Sequence, residues 1–209
     1  MKIDCKRLPP TVSDEIIMEV LRMHNWKSAR RAASILMVDI RGFEKISANE
    51  NPLDVMDCAE NMLVEIIKTA QYFEGTPSHL SGERLTLAFG VPSGMADHQR
   101  KSVLCALEIQ RSLTSRKTKS PLKFKSGLGA TMALASGEVW MGRVRHDKFH
   151  ESCVLGEPVR LASVLLNAAS QNQILATPNY AEAIMGKYYI SHVSPSILEI
   201  RPFSHSSPS

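Results

Sequence analysis

Apolar positions follow two rhythms along this chain. At 34–40 they run almost unbroken (SILMVDI) and end in an aspartate, which predicts a central strand covered on both faces. From Pro52 to about Phe73, Val55, Ala59, Met62, Ile66 and Ala70 recur at helical spacing, with Pro52 at the first helical position and Gly75 and Pro77 closing the segment. Two short strands follow at 76–80 and 84–89, joined by Ser81-Gly82-Glu83 as a tight hairpin. A helix is expected over 98–114, capped by Asp97, with Val103, Leu104, Leu107 and Ile109 on its inner face.

The second half reads as a strand pair, 122–135 and 138–144, broken at Ser136-Gly137. Beyond it lie a strand at 151–155, a helix at 157–169, a strand at 172–176, a small helix at 178–185 and two strands near 187–192 and 196–201. An amphipathic helix is expected over 11–31, stopped on its N-terminal side by Pro9 and Pro10. The order β-α-β-β-α-β, with additions behind it, is that of an α+β, ferredoxin-like split βαβ core. The expected architecture is an antiparallel-rich sheet with helices packed on one face. Residues 1–32 form an extension, 33–202 the domain and 203–209 a Ser-rich tail expected to be disordered.

Composition narrows the classes. A hydrophobic fraction of 44% with 22% charged residues belongs to a globular chain. No apolar run reaches the roughly 20 residues of a membrane helix, so no membrane association is expected. Cys5, Cys58, Cys105 and Cys153 are widely spaced, which argues against a zinc site or disulfide framework and points to a reducing, cytoplasmic setting. The net charge of +4 is concentrated in residues 1–33. A second basic run, Arg111 to Lys125, reads as a solvated loop rather than a nucleic-acid patch, because no recognition motif accompanies it.

Four segments carry a further signal: MVDIRGFEKIS (37–47); SHLSGERLTLAFGVP (78–92) followed by DHQRKSVLCALEIQRSL (97–113); ASGEVWMGRV (135–144); and ESCVLGEPVRLASVLLNAA (151–169) followed by QILATPNY (173–180). In order and spacing they resemble the class III nucleotidyl cyclase homology domain of adenylyl and guanylyl cyclases, over roughly residues 33–190. The resemblance implies a head-to-tail pair of domains, either a homodimer or a heterodimer with another cyclase-like domain. It implies a nucleoside triphosphate at their interface and two Mg²⁺ or Mn²⁺ ions held by two carboxylates. In the reaction the ribose 3′-hydroxyl attacks the α-phosphate and pyrophosphate leaves. Metal ions activate the hydroxyl and clamp the phosphates, and fixed cations meet the growing charge.

Carried over residue by residue, the resemblance makes Asp39 and Glu83 the metal positions, Glu83 standing where an aspartate is usual. Ile40, Gly42 and Phe43 form the phosphate-facing turn. His79 and Cys153 occupy the two base-reading positions. Arg160 stands in place of the ribose-binding asparagine and Val164 in place of the transition-state arginine. Arg160, one turn before Val164, either supplies the missing cation from a shifted place or forms a surface ion pair. Glu44 and Arg145 are further departures, from a threonine and a glycine. The expectation is therefore a degenerate cyclase-like domain, a dimerising nucleotide-binding or regulatory module with lost or very weak activity. The alternative is an active, unorthodox adenylyl or guanylyl cyclase with Arg160 as its catalytic cation, alone or as a heterodimer partner. A diguanylate cyclase hairpin fits Ser81 to Arg84 less well.

Overall fold

The structure, a computed structural model, describes residues 28–48, 50–116, 128–146, 149–184 and 188–202. The expected helix up to residue 27, most of the second basic run and the 203–209 tail lie outside the described residues.

The strands are β1 (Ser28–Arg41), β2 (Thr76–Ser81), β3 (Arg84–Phe89), β4 (Gly129–His146), β5 (Phe149–Leu155), β6 (Ile174–Ala176), β7 (Tyr189–Ser194) and β8 (Ile197–Arg201). The helices are α1 (Phe43–Ser47), α2 (Pro52–Tyr72), α3 (His98–Arg116), α4 (Glu157–Ala168) and α5 (Tyr180–Ile184). One sheet runs β2-β3-β1-β4-β6-β8-β7, and β5 also pairs with β4. Its first four strands are mutually antiparallel in the order of a split βαβ core; β6 alone joins in parallel, on β4. The expected α+β fold is the observed one.

Three local expectations change. Residues 28–31, expected to close an N-terminal helix, are strand, because β1 extends backwards along the far half of β4. The expected break at Ser136-Gly137 is absent. β4 is one strand of 18 residues, and its pairing with β1 runs without a register shift from Arg41 opposite Gly129 to Ser28 opposite Gly142. Fourteen successive pairs hold the glycine in line. On α3, Val103 and Ile109 are buried as expected, but Cys105, Ala106 and Leu113 complete the inner face while Leu104 and Leu107 are half-buried.

Helices cover both faces of the sheet, not one. Along β1, Leu36, Val38 and Ile40 point into a core with Ile66 of α2, Val103 and Ile109 of α3 and Tyr180 of α5. The intervening Ala33, Ile35 and Met37 point into a second core with Ala162, Leu165 and Leu166 of α4. Successive strand residues face opposite sides, so an unbroken apolar run requires two covers, and α4 is the second. Each fully buried leucine in such a layer contributes about 1.5–3 kcal/mol.

Local signals set the helices. Asn51 caps α2 by accepting the Leu53 N–H at 3.0 Å, and Pro52 follows at the first turn. α4 starts from Gly156, whose φ of 148° and ψ of 170° suit glycine alone. A side chain there would meet the Glu138 carbonyl at 2.8 Å. That glycine lets the chain turn tightly off β5 and lay α4 across the sheet.

Candidate functional site

β1 carries Asp39 out of the second core to the end of the sheet. Directly opposite it stand Arg84 on β3 and Thr131 on β4. Directly paired residues of antiparallel strands share a face, and Arg41, two residues on, shares it too. The Asp39 side chain is only 6% exposed. Arg84 Nη2 donates to its Oδ2 at 3.1 Å, and Arg41 Nη2 lies 2.9 Å from the same oxygen. Arg84 Nη2 also donates to Asn167 Oδ1 at 3.3 Å, in the last turn of α4. The Thr131 hydroxyl is buried beside this group without a hydrogen-bond partner among the described residues.

The neighbouring turn is also engaged. The Ile40 side chain is buried in the first core, and its N–H donates to the Glu83 carbonyl at 3.2 Å, tying β1 to the β2–β3 hairpin turn. Gly42 has a φ of 104°, which reverses the chain before α1, and its carbonyl accepts the Lys45 N–H. Phe43 packs half-buried against the first core, and Glu44 is exposed. The Glu83 side chain is exposed at the hairpin tip.

This arrangement bears on the divalent ions that the resemblance implies. An ion on Asp39 would meet two guanidiniums already at the carboxylate. At about 4 Å and an effective dielectric of 20–80, each would oppose a double charge by roughly 2–8 kcal/mol. Among the described residues no group of three or more His, Cys, Asp or Glu side chains is placed to hold a metal. The residues as arranged do not fit the ion, because two guanidiniums already engage the Asp39 carboxylate.

The two base-reading positions fall on strands that the fold brings close, β2 and β5. His79 is exposed, just past an irregularity in the β2–β3 pairing between Pro77 and His79. Cys153 is half-buried on β5, opposite Gly142 of β4. Arg145 lies on the same arm, opposite His150.

α4 decides the remaining positions. Ala162, Leu165 and Leu166 face the sheet, so Arg160 and Val164 face outwards. Arg160 Nε donates to Glu157 Oε2 at 2.9 Å and Nη2 donates to Oε1. Arg160 thus forms an ion pair with Glu157 on the exposed face of the helix. That hydrogen bond holds the exposed Glu157 carboxyl below its ordinary range and raises Arg160 correspondingly. Val164 is 53% exposed, an apolar side chain on an open helix face.

Sequence reasoning singled out Asp39 but missed its partners Arg41, Arg84 and Asn167. For Arg41 the signal was present, since i and i+2 on a strand share a face. For Arg84, a cation next to the hairpin turn, the β1–β3 register was needed.

A family model described as the adenylate and guanylate cyclase catalytic domain matches residues 27–201. An uncharacterized protein of Mycobacterium tuberculosis is 23% identical over 155 residues, covering 73% of this chain and 27% of that protein. The chain thus spans about a quarter of the length of the curated relatives it matches. Among solved structures, the adenylyl cyclase CyaB from P. aeruginosa superposes with a TM-score of 0.78 at 19% identity, over 88% of this chain and 100% of that one. The guanylyl cyclase Cya2 superposes with a TM-score of 0.76 at 22% identity, over 87% and 97%. At these identities the structural likeness establishes the fold.

Proposed function

The chain belongs to the adenylate and guanylate cyclase catalytic domain family, and from that premise we propose that it is a degenerate member. In this reading it is a dimerising nucleotide-binding or regulatory module of the cytoplasm whose cyclase activity is lost or very weak. One observation carries the reading: the Asp39 carboxylate, which the resemblance makes a metal position, is held by Arg41 and Arg84.

The rest of the site agrees. Cyclisation builds charge on phosphate oxygens, and a fixed cation must meet it. Val164 brings no charge to that task, and losing such an arginine costs about 10³-fold or more in rate. Arg160 sits beside Val164 on the outer face but is paired with Glu157. A homodimer repeats the deficit in both composite sites. The active alternative requires Asp39 to exchange two guanidiniums for a metal and Arg160 to leave Glu157. Apolar Val164, Leu155 and Trp140 are exposed, which suits a domain that meets a partner. No helix among the described residues is long and apolar enough to cross a membrane.

The test is direct. The purified chain is incubated with ATP, GTP, CTP or UTP and excess Mn²⁺, and cyclic nucleotide is quantified. The expected yield equals that of the Asp39→Ala variant and of the protein-free blank. Cyclic product formed over repeated turnovers and abolished by Asp39→Ala refutes the reading.

A further inference from the structure

We propose that the cluster of Arg41, Asp39 and Arg84 is a metal-independent receptor for a polyphosphate chain, the chemistry shared by nucleoside triphosphates and inorganic polyphosphate. The inference rests on the degenerate-module reading and gives its site a ligand class and a mode of binding.

Charge is the first argument. Two guanidiniums share one carboxylate, so the cluster is cationic by one unit where a metal-binding site must be anionic. Glu83 is the nearest opposing group in sequence, but it is exposed on the hairpin tip, where solvent and salt screen it.

Donor capacity is the second. A guanidinium carries five N–H groups in a planar fork that matches phosphate oxygens. Arg41 and Arg84 each reach Asp39 through the terminal Nη2 nitrogen. Their side chains remain 42% and 35% exposed, so part of each fork reaches solvent and a second acceptor. Pre-organisation is the third. Asp39, itself nearly inaccessible, holds both forks at one point, and Asn167 steadies Arg84 from α4. Two long side chains fixed before the ligand arrives lose less rotamer freedom on binding. The buried, unpartnered Thr131 hydroxyl, paired across the strands with Asp39, adds a polar group on the same face.

The chemistry makes a prediction opposite in sign to that of a metal site. In a metal site Asp39 is the ligand, and neutralising it abolishes nucleotide binding. Here Asp39 competes with the phosphates for both arginines, and neutralising it strengthens binding. Magnesium carries two positive charges onto the triphosphate and so weakens its attraction to the cluster.

The experiment is calorimetric titration of the whole chain with ATP, GTP and inorganic tripolyphosphate, in EDTA and again in excess Mg²⁺ or Mn²⁺. Binding is expected in EDTA, weakened by about threefold or more with Mg²⁺. Asp39→Asn is expected to tighten it by about threefold or more, and Arg84→Gln and Arg41→Gln to weaken it by about tenfold or more. Equal affinity for tripolyphosphate and nucleotides identifies the phosphate chain as the ligand; tighter nucleotide binding adds a base or ribose contact. Either result supports the receptor. Asp39→Asn keeps the side-chain shape, so it decides the question even if an arginine variant fails to fold. Binding that requires Mg²⁺ or Mn²⁺ and is lost in Asp39→Asn overturns the inference, as does the absence of binding in EDTA. Metal-dependent binding through Asp39 also removes one support of the degenerate-module reading, but that reading itself falls only if cyclic nucleotide is formed over repeated turnovers.

Discussion

Which side of α4 faces the sheet decides whether Arg160 and Val164 belong to an open surface, and a pair of truncations measures it. Leu166 is fully buried in the second core, whereas Val164 is 53% exposed. Two residues apart, they lie about 200° apart around the helix. Leu166→Ala loses the transfer energy of the removed atoms and leaves a cavity, about 2–5 kcal/mol. The upper half of that range is expected. The second core is rich in alanines, among them Ala33, Ala133 and Ala135, whose short side chains cannot move to fill a gap. For a chain of this length each kcal/mol moves the melting temperature by about 2–4 °C, so a fall of roughly 7–20 °C is anticipated. Val164→Ala removes atoms that are half in water already and costs below about 1 kcal/mol. Leu166→Met, nearly volume-conserving, costs under about 1.5 kcal/mol. Urea titrations followed by circular dichroism give all three values, provided the m-value is unchanged. Should Val164→Ala cost as much as Leu166→Ala, the helix is rolled, its Arg160 face is buried, and the argument from an open apolar position is wrong.

Gly156→Ala forces a side chain into a glycine-only conformation 2.8 Å from the Glu138 carbonyl. A loss of about 1–3 kcal/mol or more in the same urea titration is expected, against no change if the turn simply relaxes. His98 supplies a pH test: its Nδ1 meets Ser34 Oγ at 2.8 Å, and partial burial lowers its pKa despite the opposing pull of Asp97. A base with a depressed folded pKa binds fewer protons than the unfolded chain, so its contribution is complete above about pH 6.5 and is lost as pH falls from there through the folded pKa. The stability difference between wild type and His98→Asn should shift in that sense between pH 7.5 and 5, and a flat difference refutes the assignment.

The sequence made the core of the fold legible because its signals are local. The run ending at Asp39 declared a strand covered on both sides, Asn51-Pro52 declared a helix start, and Ser81-Gly82-Glu83 declared a hairpin. What escaped was set by tertiary pairing. Ser28–Ala33 carries two arginines and no strong strand signal, and it is strand because the far half of β4 lies beside it. The second cover of the sheet was implied by the apolar run itself, yet nothing local says which helix supplies it. At the site, residue types identified Asp39 as special, but the guanidiniums that hold it come from register and strand parity. Arg160 had its partner three residues away, at the spacing at which helical neighbours meet.

The ladder between β1 and β4 has a consequence for biogenesis. Its two rails are separated by α2, the hairpin and α3, so Asp39 waits for Thr131 and Arg41 for Gly129. During synthesis at about 5–20 residues per second, the completed first strand leaves the ribosome many seconds before its long partner is translated. Throughout that interval one side of an aliphatic strand offers unpaired N–H and C=O groups, the template on which nascent chains cross-associate. Ribosome-bound intermediates truncated after α3 therefore carry this edge uncovered by its long partner.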